Sequence, residues 1–129
     1  MRVAVVDASV LAAVLFVEPE ADDVVRRLGS ARLAAPALLP YELANVCVQK
    51  ARRRPAERQL LVDRLARVVD LGISEVSVDA VEVATLALES SLTAYDAAYL
   101  WVARSIGAPL ISLDADLVRA AHRHGVRVV

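Results

Sequence analysis

Four acidic residues stand where a small α/β chain could do chemistry: Asp7, Glu42, Asp96 and Asp114. Asp7 directly follows an apolar run at residues 3–6, and Asp114 directly follows another at 110–113. Asp96 and Glu42 fall in the first turns of two expected helices. In open parallel sheets, ligands bind outside the carboxyl ends of the strands. Two of the four carboxylates therefore fall on that edge directly, and helix starts often face the same edge. Carboxylates, serine hydroxyls and water are hard oxygen ligands that suit Mg²⁺ or Mn²⁺. Packed together they repel one another unless a cation neutralises them. Such a cation can stabilise charge on a phosphate under in-line attack, which is a phosphodiesterase design. Each residue also has a plain structural explanation. Asp7, Asp96 and Asp114 suit helix caps or first-turn dipole partners, and Glu42 suits a first-turn carboxylate.

Other catalytic toolkits are missing. One cysteine and two histidines cannot build a zinc cluster of the usual kind. Four glycines leave no phosphate-binding loop, and no GxSxG elbow is present. A phosphatase of the haloacid dehalogenase kind wants a second Asp two residues after its nucleophile, where Ser9 stands. A receiver domain needs a lysine near the end of a later strand, but Lys50 is the only lysine. A binding module with an inert site is the remaining rival, and the acidic residues at all four positions argue against it.

The elements that must position these residues follow from periodicity and punctuation. Strands are expected at residues 3–6, 33–35, 73–78, 110–113 and 126–129. Helices are expected at 10–16, 20–28 after Pro19, and 42–53 with Leu43, Val46 and Cys47 on one face. Pro36 and Pro40 frame the turn before the third helix. Pro55 breaks that helix and starts another to about residue 69, with Leu60, Leu61, Leu65 and Val68 inward. Asp79 reads as an N-cap for a helix to about 89. Thr93 and Asp96 have capping-box spacing for a helix through 104. Asp114 opens the last helix, to 122 or 124. Strands alternating with helices predict an α/β fold, a parallel sheet covered by helices on both faces.

At 129 residues the chain is expected to be a single domain, 1–129. Hydrophobic residues reach 57%, mostly Ala, Val and Leu, against 24% charged. That excess predicts a tight core plus some apolar surface covered by a partner. No apolar run is long enough to span a membrane, and the N-terminus lacks a leader pattern, so a cytoplasmic setting is expected. Cys47 is expected to pack in the core. Net charge is −1, yet Lys50, Arg52, Arg53 and Arg54 form a basic cluster that suits either a solvated helix end or phosphate contact.

The segments VVDASVL, FVEPEAD, PYELANV, TAYDAAYLWVA and PLISLDADLVRAA resemble, in order and spacing, PIN domains of the VapC toxin type. The resemblance runs essentially from end to end. It implies a three-layer α/β/α fold with a central parallel sheet of four to five strands. It also implies a magnesium-dependent endoribonuclease, the toxin of a type II toxin–antitoxin pair. The family's four acidic positions fall on Asp7, Glu42, Asp96 and Asp114, of which Asp7 and Asp96 match its most regular metal ligands. Ser9 matches a small hydroxyl residue after the first Asp, and Ser112 stands where a Thr is usual. Asp116 is a further carboxylate nearby. The resemblance also implies homodimerisation and a VapB-like antitoxin, laid in a groove around residues 11–16 and 43–48. Tyr99 and Trp101 suit either the dimer interface or the core.

Overall fold

The computed structural model describes residues 2–129. Its first strand, β1 (Val3–Val6), runs into α1 (Ala8–Leu15), and α2 (Ala21–Leu28) leads to β2 (Arg32–Pro36). A helical excursion follows: α3 (Leu39–Arg53), a 3₁₀ turn at Pro55–Glu57, α4 (Arg58–Ala66) and a second 3₁₀ stretch at Arg67–Leu71. Then come β3 (Ser74–Val76), α5 (Ala80–Ser90), α6 (Ala94–Ile106), β4 (Leu110–Ile111) and α7 (Ala115–Arg123). The sheet is parallel throughout, in the order β3-β2-β1-β4. The expected three-layer α/β/α arrangement with four to five parallel strands is what forms.

The topology selects the site. The chain builds outward from β1 to β2 and β3, then crosses back to place β4 on the other side of β1. Such a reversal of direction opens a crevice at the carboxyl ends of the strands. Asp7 ends β1 and Ser112 follows β4, so both stand at that crevice. Burial of the two strands fixes their register: Ala4, Val5, Val6, Leu110 and Ile111 are fully buried, as parallel strands covered on both faces require. Val5 pairs with Leu110 and Val6 with Ile111.

Four helices start on side-chain caps. Asp7, Asp79, Thr93 and Asp114 accept bonds from backbone amides of the first turns of α1, α5, α6 and α7. The caps at Asp79, Thr93 and Asp114 were expected. At the other end of α6, Gly107 takes the left-handed conformation (φ 65°) and returns its amide to Ala103 and Arg104.

The differences from expectation have local causes. α1 begins two residues early because Asp7 caps it, which places Ser9 inside the helix. α3 begins at Leu39 with Pro40 in its first turn, where a missing N–H costs nothing. The helix expected from 55 to 69 is broken by 3₁₀ turns at both ends. Leu61 points inward, but Leu60 is 45% exposed and does not. β3 shrinks to three residues on the open edge, and β4 to two. The expected last strand is only a parallel bridge from Val128 to Leu110, supported by bonds from Leu110 to Arg127 and from Val129 to Leu110. Among the described residues no helix is long and apolar enough to cross a membrane.

Candidate active site

Asp7 is the anchor of the acidic edge. It is only 5% exposed, and a buried carboxylate must be well supplied with donors. Its Oδ1 accepts from the Ser9 hydroxyl at 2.6 Å and from the Val10 amide at 3.2 Å. Its Oδ2 accepts from the Ser112 hydroxyl at 2.5 Å. Each hydroxyl also accepts from the backbone, Ser112 Oγ from the Asp114 amide and Ser9 Oγ from the Leu113 amide, both at 3.0 Å. Two serines thus stitch the end of β1 to the segment after β4. Arg27 of α2 braces the same segment from behind, donating to the carbonyls of Ser112 (3.4 Å) and Val129 (2.7 Å).

Asp114 sits on this segment. Its Oδ1 caps α7, accepting from the amides of Asp116 (2.9 Å) and Leu117 (3.1 Å). For Asp7 and Asp114 the cap itself holds the carboxylate at the crevice, so the structural role leaves room for a chemical one.

Glu42 and Asp96 come from helix starts. Glu42, in the first turn of α3, is half-buried, and its Oε1 accepts from the Tyr99 hydroxyl at 2.6 Å. Asp96 is half-buried in the first turn of α6, where its amide donates to the Thr93 hydroxyl at 3.1 Å.

Electrostatics join the four. Burial pushes the Asp7 carboxyl above its ordinary value; bonds from Ser112, Ser9 and Val10 oppose the shift, and the Asp114 charge adds to it. Burial raises Glu42 as well, opposed by Tyr99 and reinforced by the charges of Asp96 and Asp7. Asp96 is raised by burial and then by Asp114, with Thr93 opposing and with smaller contributions from Asp7 and Asp116. Tyr99 is pushed up strongly by its own burial and by Glu42, so it stays a neutral donor. Every one of the four carboxylates thus lies in the field of another. Among the described residues, however, no three His, Cys, Asp or Glu side chains are gathered tightly enough to hold a metal ion in common. The donor set is wholly oxygen, which fits a hard divalent cation.

The neighbouring residues take one of their expected places or divide between them. Tyr99 is core, 1% exposed, and is also the floor under Glu42. Its spacing of three from Asp96 puts both on one helix face, the sequence signal that could have found it. Trp101 is partly buried against the core, with Nε1 donating to Glu82 at 3.3 Å. Cys47 is buried, as expected. The basic cluster divides. Lys50 pairs with Glu18, and Arg54 pairs with Glu57 at 3.6 Å. Arg53 and Lys50 line a cavity of about 310 Å³ that reaches Ser9. Arg52 lines another, away from the carboxylates. Of the residues where a partner groove was expected, Leu11, Ala12, Ala13, Leu15, Phe16, Leu43 and Cys47 are core.

Comparison with known proteins decides the family. The family model described as PIN domain matches residues 4–123. The chain belongs to the PIN-domain family. Its likeness to Ribonuclease VapC3 from Pyrobaculum aerophilum is 35% identity over 121 residues, 88% of this chain and 90% of that protein, which places this PIN domain in the VapC-type branch. The crystal structure of PAE2754 from Pyrobaculum aerophilum superposes with a TM-score of 0.75 at 28% identity, covering 92% of this chain and 79% of that one. The acidic edge of this PIN domain lies at the carboxyl ends of the sheet strands, in a fold shared with that structure.

Proposed function

We propose that this PIN domain is a magnesium-dependent endoribonuclease, the toxin of a VapB–VapC-like pair, working in the cytoplasm. The observation that carries the reading is Asp7: buried, held by two serine hydroxyls, and in the electric field of further carboxylates at the crevice of the sheet. A structural cap does not need a buried negative charge surrounded by others. A cation site does, and the relative named a ribonuclease supports RNA as the substrate.

In this reading Asp7 and Asp96 hold Mg²⁺ directly, and Asp114 and Glu42 hold it directly or through water; Mn²⁺ would serve in its place. When bound, the cation would neutralise the carboxylates and stabilise charge developing on the phosphate. The chain's own residues do the rest. Ser9 and Ser112 fix the orientation of Asp7. Tyr99 fixes Glu42, which is placed to orient or deprotonate the attacking water. Arg53, at the cavity that reaches Ser9, guides the RNA backbone. The same cavity, between α1 and α3 with Ala12, Ala13 and Val46 in its wall, receives the VapB-like antitoxin. A homodimer is the assembly in which this operates.

Cleavage of structured RNAs with and without Mg²⁺ tests the reading, comparing wild type with Asp7→Asn and Asp96→Asn. Both variants keep shape and remove charge. Cleavage should require the cation and should fall by about 10²-fold or more in either variant. Equal cleavage by all three proteins would sink the assignment.

A further inference from the structure

The chain has three tyrosines, and all of them belong to the Glu42–Asp96 half of the site. Tyr99 is buried beneath Glu42. The other two are exposed and immediately precede the two helix-borne carboxylates: Tyr41 before Glu42, Tyr95 before Asp96. One residue along a helix is a rotation of about 100°. A helix start that aims its carboxylate into the crevice therefore sets the preceding side chain on the crevice wall. Tyr41 is 79% exposed and Tyr95 65%. They come from different helices, α3 and α6, yet both line one cavity of about 450 Å³ with Leu38, Glu42 and Asn45.

We infer that this cavity is a nucleobase subsite, in which Tyr41 and Tyr95 stack an unpaired base of the RNA beside the carboxylates. The inference rests on the ribonuclease reading and adds to it a place on the protein where a base is held. Its ligand is single-stranded RNA, because bases stack on aromatic faces only when freed from a duplex. Asn45 offers both a donor and an acceptor to a base edge.

Charge gives the reason such a subsite is needed. The chain carries a net charge of −1 and concentrates carboxylates at the crevice, so its general field does not draw in a polyanion. Of the basic cluster, Lys50 and Arg54 are already paired with Glu18 and Glu57. Affinity for RNA must come in good part from contacts indifferent to charge, and base stacking on aromatic rings is such a contact. The rest of the chain contains few rings: Phe16 is core and Trp101 is partly buried against it. The two exposed tyrosines are the stacking surfaces this chain possesses, and both face the same cavity.

The test separates the subsite from the nuclease reading by using binding and crosslinking besides cleavage. Wild type, Tyr41→Leu, Tyr95→Leu, Tyr41→Phe and Tyr95→Phe are titrated against short fluorescent single-stranded oligonucleotides, intact or carrying one abasic position. Both side chains are exposed, so the fold should persist, checked by an unchanged thermal midpoint. Each Leu variant should weaken binding of the intact oligonucleotide by about 5- to 160-fold, the range for one lost stack, while each Phe variant keeps it. An abasic position should weaken wild type and leave the Leu variants little changed. An oligonucleotide carrying 5-iodouracil should photocrosslink to Tyr41 or Tyr95 in wild type. Wild type that cleaves and binds RNA while the Leu variants do so equally well overturns the subsite alone. Leu variants that bind RNA normally but lose self-association assign the tyrosines to a protein interface and overturn it too. Wild type that neither binds nor cleaves any RNA overturns the nuclease reading, and the subsite with it.

Discussion

The acidic edge has two halves that are built differently. On the strand half, Asp7 and Asp114 are tied through Ser9 and Ser112 into a network of bonds of 2.5 to 3.2 Å, with Asp7 almost out of solvent. On the helix half, Glu42 and Asp96 are half-buried, and a single bond from Tyr99 holds the Glu42 carboxylate. The strand half is fixed by two paired strands and a cap. The helix half depends on how α3 and α6 are set against the sheet, and its outer wall is two exposed tyrosines. The contrast suggests a division of labour. Under the proposed function, the pre-set pair would define where a cation sits, and the more adjustable pair would meet the nucleotide.

The sharpest way to break that contrast is to remove one hydroxyl from each half. Ser112→Ala deletes the shortest bond to Asp7 and leaves the Asp114 amide without its acceptor. The bond to Asp7 is buried away from water, so unfolding stability should drop by about 3 kcal/mol. Tyr99→Phe deletes one bond to a carboxylate that water can reach, and should cost about 1 kcal/mol. Urea denaturation of both variants measures the difference. A larger loss from Tyr99→Phe would reverse the picture of which half is rigid.

A smaller effect has the opposite sign. Burial makes the charge on Asp7 costly to the fold, as its raised pKa states. Asp7→Asn removes that cost and keeps most of the cap, so the variant should unfold at the same or a higher temperature than wild type while losing cleavage. Glu42→Gln, at a half-exposed position, should gain less. Thermal unfolding without added divalent cation measures both; a clear destabilisation by Asp7→Asn would mean that its hydrogen bonds outweigh its desolvation.

The same contrast explains which parts of the molecule could be read in advance. β1, α2 and the caps at Asp79, Thr93 and Asp114 are local signals, and they formed where expected. The placement of Asp7, Glu42, Asp96 and Asp114 at a strand end and at helix starts was legible because these are local features too. Leu60 was misplaced because its apolar character says nothing about which side of α4 meets the core, and neighbouring Leu61 took the inward place. The last strand failed because β4 offers it only two residues to pair with. The Ser112 bond to Asp7 spans 105 residues and the Tyr99 bond to Glu42 spans 57. No pattern within one helix or strand encodes such pairings. The crossover that sets β4 beside β1 creates the first, and the approach of the start of α3 to α6 creates the second.

Acidity supplies the finest discrimination between the halves. Asp7, Glu42 and Asp96 all have raised carboxyl pKa values in the folded state. A carboxylate raised on folding binds its proton more tightly folded than unfolded, so its ionised form costs stability at neutral pH. That cost is released as pH falls through the raised value and is gone below the ordinary values of 3.8 for Asp and 4.5 for Glu. Without divalent cation, the contribution of these three groups should therefore favour the fold as pH drops from neutral towards the ordinary carboxylate range. Asp7→Asn should remove the largest share of that gain, since Asp7 is the most buried of the three. Glu42→Gln should remove a smaller share, because solvent already screens its charge. The measurement is the thermal midpoint of wild type against each variant across that pH interval, with and without Mg²⁺. Added Mg²⁺ should reverse the trend, because the cation competes with protons for the same oxygens. Parallel pH curves for wild type and Asp7→Asn would show that Asp7 is not the strained charge its burial implies.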